Sequence, residues 1–139
     1  MAQPGRSEMD GREPTLLIVD DDQPFGQVLA AEFSDRGYGV EWLDGLEAVE
    51  RKSELDHHYA VIDLRLRQDS GLDLIKVLKA RSPATIVVVL TGYGSVETAL
   101  EATKLGASAY LTKPVDIDQL ERSLREACAV EETAPESCR

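Results

Sequence analysis

The sequence has few basic residues, few cysteines, few aromatic residues and no long apolar run. It contains 15 lysines and arginines against 26 aspartates and glutamates, which gives a formal net charge of −11 at pH 7. A nucleic-acid-binding surface needs clustered lysine and arginine that release counterions, so this balance argues against nucleic-acid binding by the chain itself. A chain with an excess of acidic side chains is better suited to binding cations and other proteins.

The scarcity of cysteine and of apolar segments narrows the class of protein further. Cys128 and Cys138 form no CxxC pair and have no histidine at metal-ligand spacing, so we expect reduced thiols. No apolar run approaches the roughly 18 residues that a membrane span needs, and residues 1–13 are too polar for a signal peptide. These features predict a cytoplasmic protein without a disulfide framework.

What the sequence does contain is an alternation of apolar segments of strand length with segments of helical periodicity. We predict strands at 15–19, 40–43, 59–63, 85–90 and 108–111, and helices at 24–36, 45–52, 71–81, 96–105 and from 117 onward. In the first helix Val28, Leu29 and Phe33 should share the buried face, and Trp42 is expected in the core, whereas His57 and His58 are expected at the surface.

Continuous apolar strands joined by helical crossovers are typical of a parallel sheet with helices on both faces. We therefore predict one α/β domain with a doubly wound parallel five-stranded sheet at residues 14–130. A disordered N-terminal tail at 1–13 and a C-terminal tail at 131–139 would flank it.

The residues that follow the predicted strands should meet at one edge, because such sheets bind ligands beyond the carboxyl ends of their strands. The polar residues in these positions are Asp20, Asp21, Asp22, Asp63, Thr91, Thr112 and Lys113, with Pro114 next in the chain. Carboxylates from two strands form a hard oxygen site of the kind that Mg²⁺ prefers. A cation there would offset the repulsion among the three consecutive aspartates.

A lysine and a hydroxyl opposite such a metal are the groups that phosphoryl transfer requires, because the charge on the transferring group must be neutralised from several sides. A carboxylate can then be the nucleophile and form an acyl phosphate. Both Asp63 and the aspartate cluster at 20–22 could take this role. Asp63 is the better candidate because it stands alone and leaves the cluster free to hold metal.

Five motifs together resemble the receiver domain of bacterial two-component response regulators. They are LLIVDDD at 16–22, AVIDLRL at 60–66, SGLDLI at 70–75, VVVLTGYG at 87–94 and AYLTKP at 109–114, in the order and at the separations of that family. In detail the sequence looks closest to the RegA/PrrA/ActR type, which normally continues into a DNA-binding helical domain. The resemblance covers roughly residues 15–130 and implies the flavodoxin-like (βα)5 sheet with strand order 2-1-3-4-5.

The resemblance implies that Asp63 is the phosphoacceptor. It also implies that Asp20, Asp21, Asp63 and the main-chain carbonyl of Arg65 hold Mg²⁺, with Mn²⁺ as the alternative ion. Asp22 would then be a neighbour of the metal and not a ligand.

The resemblance also implies which residues bind the phosphoryl group and which change conformation in response to it. Thr91 and Lys113 would bind the phosphoryl group, Thr91 and Tyr110 would form the switch, and the Lys113–Pro114 peptide bond would be cis. One departure is visible: many receivers have proline four residues after the phosphoacceptor, where this sequence has Arg67. We expect a changed loop there with the acceptor chemistry intact.

The implied function is a phosphorylation switch and not an enzyme with a separate substrate. A sensor histidine kinase would phosphorylate Asp63, and the face made by the fourth helix, fifth strand and fifth helix would change, with homodimer formation or transcription control as output. DNA would be reached only through a separate output domain, since residues 131–139 cannot form a recognition helix, and no membrane is involved. Arg65 and Tyr93 would shield the acyl phosphate from water and slow its self-catalysed hydrolysis.

A haloacid-dehalogenase-like phosphohydrolase is the alternative from another class. Such enzymes also use an aspartate nucleophile with Mg²⁺, and Asp20 and Asp22 fit the first part of their DxDx(T/V) loop. Pro24 fails the last position of that loop, and Asp116 and Asp118 look like helix caps and not a second acidic pair. A receiver-like interaction module without phosphorylation lacks support because every acceptor residue is present.

Overall fold

The structure, a computed structural model, describes residues 13–64, 71–92 and 96–130. Strands and helices alternate along this part of the chain. The strands are β1 (Thr15–Val19), β2 (Gly39–Leu43), β3 (Tyr59–Ile62), β4 (Ile86–Thr91) and β5 (Ala109–Thr112). The helices are α1 (Gln23–Asp35), α2 (Leu46–Glu50), α3 (Gly71–Arg81), α4 (Val96–Leu105) and α5 (Ile117–Val130). Each predicted element is confirmed, with small shifts at the boundaries.

The strands form one parallel sheet in the order β2-β1-β3-β4-β5, which confirms the predicted fold. The three interior strands β1, β3 and β4 are buried at almost every position, as their continuous apolar sequences indicate. The edge strands β2 and β5 are only partly buried. All carboxyl ends lie along one edge, so the residues that follow the strands are brought together.

The core lies on both faces of the sheet. On one face α1 and α5 cover β1, β3 and β4 through residues such as Leu29, Phe33 and Leu124. On the other face α2, α3 and α4 pack through residues such as Val49 and Leu74. Because helices pack on both faces of the sheet, apolar and polar residues do not alternate along the interior strands.

The prediction for Val28 is wrong, because this side chain is 63% exposed while Leu29 and Phe33 are buried. The buried stripe of α1 contains Gly26, Leu29 and Phe33. Successive helical residues turn by about 100°, so Val28 lies about 200° away from Gly26 and faces solvent.

The prediction of a reduced thiol is also wrong for Cys128, which is buried and disulfide-bonded. The prediction relied on the absence of a CxxC pair, but a disulfide requires only that two sulfur atoms meet in space. Cys138 lies outside the described residues, as do residues 1–12 of the predicted N-terminal tail (1–13) and the predicted C-terminal tail at 131–139. Among the described helices, none has the length and apolar character needed to cross a membrane.

Candidate functional site

Asp20 and Asp63 lie side by side at the carboxyl edge of the sheet. Asp20 follows β1 and its main-chain N–H donates to the carbonyl of Leu43 at 3.1 Å; Asp63 follows β3 and donates to the carbonyl of Val19 at 3.1 Å. These bonds continue the parallel ladder one residue beyond the strands. Both aspartates are buried, with only 3% and 7% of their surfaces exposed. The fold thus places two acids where few polar groups are found.

Lys113 lies between the two buried carboxylates. Its Nζ donates to Asp20 Oδ2 at 2.9 Å and to Asp63 Oδ2 at 3.0 Å. The lysine comes from the end of β5, at the far side of the sheet from β1, so the contact joins three strand ends. One ammonium therefore compensates two acids that would otherwise repel each other.

The surroundings of Asp20 and Lys113 change the proton affinity of these two side chains. Burial raises the pKa of Asp20 above its ordinary value, and the hydrogen bonds from Lys113 and from the main-chain N–H of Asp22 only partly offset this. Burial also disfavours the charge on Lys113, but its hydrogen bonds to Asp20 and Asp63 outweigh that cost and raise the pKa of Lys113. The lysine therefore remains protonated at neutral pH.

The three consecutive aspartates have different surroundings. Asp20 Oδ1 accepts the main-chain N–H of Asp22 at 2.9 Å. Asp22 is exposed and caps α1, because its Oδ1 accepts the N–H of Phe25 at 3.1 Å. Asp21 lies between them and is half-buried. The structure thus assigns a capping role to Asp22.

The donor set of the site fits Mg²⁺, although the described residues do not include a ready-made cluster of three metal-binding side chains. Asp20 and Asp63 supply hard carboxylate oxygens from two strands, and Asp21 is adjacent in the chain. Mg²⁺ binds through one or two carboxylates and fills its other positions with water and phosphate oxygens, so it does not need a closed protein cage. In this structure the ammonium of Lys113 compensates the two carboxylates.

The predicted phosphoryl-binding residues also reach this edge. Thr91 is fully buried at the end of β4, and its main-chain carbonyl accepts the N–H of Lys113 at 3.0 Å. The Lys113–Pro114 peptide bond is cis, as the resemblance implied. Tyr110 is half-buried on β5, with its hydroxyl 3.3 Å from Thr98 Oγ1 on α4.

The predicted residues Arg65, Arg67 and Tyr93 lie outside the described residues, and their roles stay predictions. The segment that carries Arg65 and Arg67 leads into α3, which begins very close to the acceptor. A Cβ atom on Gly71 would lie 2.4 Å from Leu64 Cα and 2.7 Å from the carbonyl oxygen of Asp63. Only glycine lets α3 begin at this point.

Two aromatic residues contact the site, and neither was predicted to have a role there. The ring centroid of Phe25 is 4.2 Å from Lys113 Nζ, a cation–π contact. The indole Nε1–H of Trp42 donates to the main-chain carbonyl of Asp20 at 2.9 Å. Trp42 was expected in the core and is half-buried. The only hint in the sequence is Gly26, a glycine within a helix at the point where the indole packs.

Buried acids and a strand-end lysine at the carboxyl edge of a 2-1-3-4-5 sheet are the arrangement that the resemblance to receiver domains implied. Residues 16–125 match the family model for the response regulator receiver domain, and the chain belongs to this family. The chain is thus a receiver domain of two-component signal transduction.

Proteins with similar sequences include members of the RegA and ActR type, which the motifs had indicated. The chain is 43% identical over 115 residues to the photosynthetic apparatus regulatory protein RegA of Rhodovulum sulfidophilum, covering 82% of this chain and 63% of that protein. It is also 43% identical over 115 residues to the acid tolerance regulatory protein ActR of Rhizobium meliloti, covering 82% of this chain and 59% of that protein. The chain spans about three fifths of the length of these relatives.

Solved structures show the same fold. A response regulator from Burkholderia pseudomallei, with a phosphorylated aspartic acid, a calcium ion and citrate, has a TM-score of 0.78 and 34% identity, covering 84% of this chain and 70% of that one. The beryllofluoride-activated NtrC4 receiver domain dimer has a TM-score of 0.74 and 32% identity, covering 81% of this chain and 94% of that one. These similarities give no support to the phosphohydrolase alternative.

Proposed function

We propose that this receiver domain is a phosphorylation switch in which a sensor histidine kinase phosphorylates Asp63. The observation that carries the proposal is the ammonium of Lys113, 2.9 Å from Asp20 and 3.0 Å from Asp63. A protonated lysine beside the acceptor can pair with an incoming phosphoryl group without moving far. The phosphorylated aspartic acid in the Burkholderia relative supports the same chemistry.

In the proposed reaction an Oδ atom of Asp63 attacks the phosphorus of a phosphohistidine. The new O–P bond forms as the P–N bond breaks, and the imidazole of the kinase leaves with the electron pair. Lys113 keeps its proton and pairs with the phosphoryl oxygens. Asp20, Asp21, Asp63 and the main-chain carbonyl of Arg65 would hold Mg²⁺, which neutralises phosphoryl charge during transfer. The presence of a calcium ion in the structure of the Burkholderia relative is in keeping with binding of a divalent cation.

The chain would catalyse only this transfer to its own aspartate and the later hydrolysis of the product. The proposed functional unit is residues 14–130, which includes the residues that match the receiver family.

The proposed output is a population shift of the face formed by α4, β5 and α5. Thr91 would move toward the phosphoryl group, and Tyr110 would follow into the space and leave its position beside Thr98. A partner or a second copy of the chain would bind the changed face. The NtrC4 receiver dimer supports the second copy. The transcriptional regulatory protein ZraR of Klebsiella oxytoca, 38% identical to this chain over 122 residues, supports transcription as the process controlled through a separate output domain.

The acceptor is tested with the Asp63→Asn variant and acetyl phosphate as the donor. An amide cannot attack phosphorus as a carboxylate does, so we expect no acid-labile label on the variant while its circular dichroism spectrum stays that of the folded protein. Asp73→Asn, on the exposed side of α3, is the matched control and should be labelled like the unaltered chain. Undiminished label on Asp63→Asn would rule out this acceptor.

The lifetime of the acyl phosphate is a second part of the proposal. Arg65 and Tyr93 are large side chains two residues after Asp63 and Thr91, and we propose that they obstruct the water that hydrolyses the product. The double variant Arg65→Ala and Tyr93→Ala should therefore lose its phosphate faster than the unaltered chain. Equal decay rates in the two proteins would contradict shielding.

A further inference from the structure

The indole of Trp42 contacts the main chain between Asp20 and Asp21, two of the predicted metal ligands. Its Nε1–H donates to the carbonyl oxygen of Asp20 at 2.9 Å. This carbonyl belongs to the peptide unit that joins Asp20 to Asp21. Because a peptide unit is planar, a hydrogen bond to its oxygen restricts the rotation of that plane and so the relative directions of the two aspartate side chains.

The indole is held in place from two sides. Trp42 lies on β2, directly opposite Ile18 in the parallel register, so its backbone is fixed two residues before Asp20. On the other side the buried Gly26 of α1 lies against the ring, and a Cβ atom there would be 2.5 Å from Nε1 and 2.7 Å from Cδ1 of Trp42. Glycine is unfavourable inside a helix, and its presence here gives the indole room to reach the carbonyl.

The side chain of Asp20 is fixed as well. Its Oδ1 accepts the N–H of Asp22 at 2.9 Å, and its Oδ2 accepts the ammonium of Lys113 at 2.9 Å. Trp42 adds the main-chain oxygen, so each oxygen atom of Asp20 has a hydrogen-bond donor. The donor from Trp42 is the one that restrains the peptide leading to Asp21.

We propose that Trp42 is a positioning residue that orients the Asp20–Asp21 peptide, and with it the acidic pair, for binding of a divalent cation. The inference rests on the proposed function, in which Asp20 and Asp21 hold Mg²⁺. Trp42 does not touch the cation or the phosphoryl group. It acts through the main chain, and its N–H is the active feature while its ring volume serves packing.

The experiment removes the N–H and keeps the ring. Trp42 is the sole tryptophan of the chain, so biosynthetic replacement of tryptophan by benzothienylalanine changes one position, putting sulfur in place of N–H. We expect Mg²⁺ affinity, measured by calorimetry on the full chain, to fall by about three- to tenfold, the range for loss of one hydrogen bond. Trp42→Phe, which also lacks the donor, should lose affinity to a similar extent.

Val40→Ala is the matched control on the same strand. It removes packing from β2 without touching the carbonyl of Asp20, so it should lower the free energy of unfolding and leave Mg²⁺ affinity unchanged. Affinity that is equal in the native and benzothienylalanine proteins would overturn the inference while leaving the proposed function intact. An equal loss of affinity in Val40→Ala would also overturn it, because general loosening would then explain the effect. A native chain that binds no Mg²⁺ would overturn both.

Discussion

At the scale of single residues, Lys113 has two opposing effects. Its ammonium compensates Asp20 and Asp63, which are almost fully buried, and it packs over the ring of Phe25. The same ammonium occupies carboxylate oxygens that a divalent cation would use. Stability without metal and affinity for metal should therefore respond in opposite directions when the lysine is removed.

We expect Lys113→Ala to lower the free energy of unfolding in the absence of divalent cations by about 1–3 kcal/mol, because two buried carboxylates lose a charged donor. The same variant should bind Mg²⁺ at least about threefold more tightly, since a competing positive charge is gone. Urea unfolding in a chelator and calorimetric Mg²⁺ titration measure the two quantities.

Lys52→Ala is the control for loss of a lysine that pairs with an acid away from the site. Its Nζ lies 2.7 Å from Glu41 Oε2 in a pair that is about one-third exposed. Exposed pairs contribute about 0–1 kcal/mol, so we expect a small loss of stability and no change in Mg²⁺ affinity. Weaker Mg²⁺ binding by Lys113→Ala would show that the lysine organises the carboxylates and does not compete with the cation.

The site residues could be predicted from the sequence to different extents. Asp20, Asp63 and Lys113 follow apolar strands directly, and the carboxyl ends of parallel strands must share an edge, so their meeting followed from the fold class. The contact between Trp42 and Asp20 could not be predicted, because it depends on how closely α1 packs against β2. That distance is set by Gly26, whose effect on the packing appears only in three dimensions.

At the scale of secondary-structure elements, β1 and β3 are joined at their amino ends by a histidine. His58 Nδ1 accepts the main-chain N–H of Thr15 at 3.0 Å and lies 2.9 Å from Thr15 Oγ1. The main-chain N–H of His58 donates back to Thr15 Oγ1 at 3.0 Å. An acceptor Nδ1 carries no proton, so this link requires the neutral imidazole.

The link predicts a pH dependence of stability. Burial lowers the pKa of His58 below its ordinary value of 6.5, with nearby Asp56 opposing this and His57 adding to it. The unfolded chain then binds the proton more tightly than the folded protein. The contribution of His58 to the free energy of unfolding should be complete above about pH 6.5 and should be lost as the pH falls below it, toward the lower pKa of the folded protein.

Urea unfolding of the unaltered chain and of His58→Asn between pH 7.5 and 5.5 measures this contribution. The carboxylates titrate in both proteins, so the difference between the two curves isolates the histidine. We expect the unaltered chain to lose more stability than the variant over this interval. Parallel curves would show that protonation of His58 does not weaken the link between the strands.

The elements themselves were the most predictable part of the fold. In segments such as 86–90 apolar residues follow one another without polar residues between them, which is typical of a buried strand. Glycines such as Gly37, with φ of 96°, lie where the predicted helices end. The two histidines were expected at the surface and are half-buried. Their polar contacts come from the start of β1 and the middle of β2, which are distant in the sequence, and a local pattern does not contain that information.

At the scale of the whole molecule, the charge of the chain is its most general property. The net charge is −11. Two of the lysines, Lys113 at the site and Lys52 beside β2, already donate to acidic side chains. The curated relatives are regulatory proteins, and the chain spans about three fifths of their length. Any contact of this chain with DNA must therefore overcome the repulsion between its excess of acidic residues and the phosphates.

We predict that the 139-residue chain, phosphorylated or not, has no measurable affinity for duplex DNA at physiological salt. Binding to the phosphate backbone draws its free energy from counterions released by lysine and arginine, and a chain with 26 acidic and 15 basic residues repels a polyanion over distances up to the screening length. Phosphorylation adds negative charge and strengthens the repulsion. Mobility-shift assays over a salt series, with and without acetyl phosphate, test this. A shift that weakens as salt rises would show that a local basic surface overrides the net charge, because only phosphate contacts made by cations have that dependence.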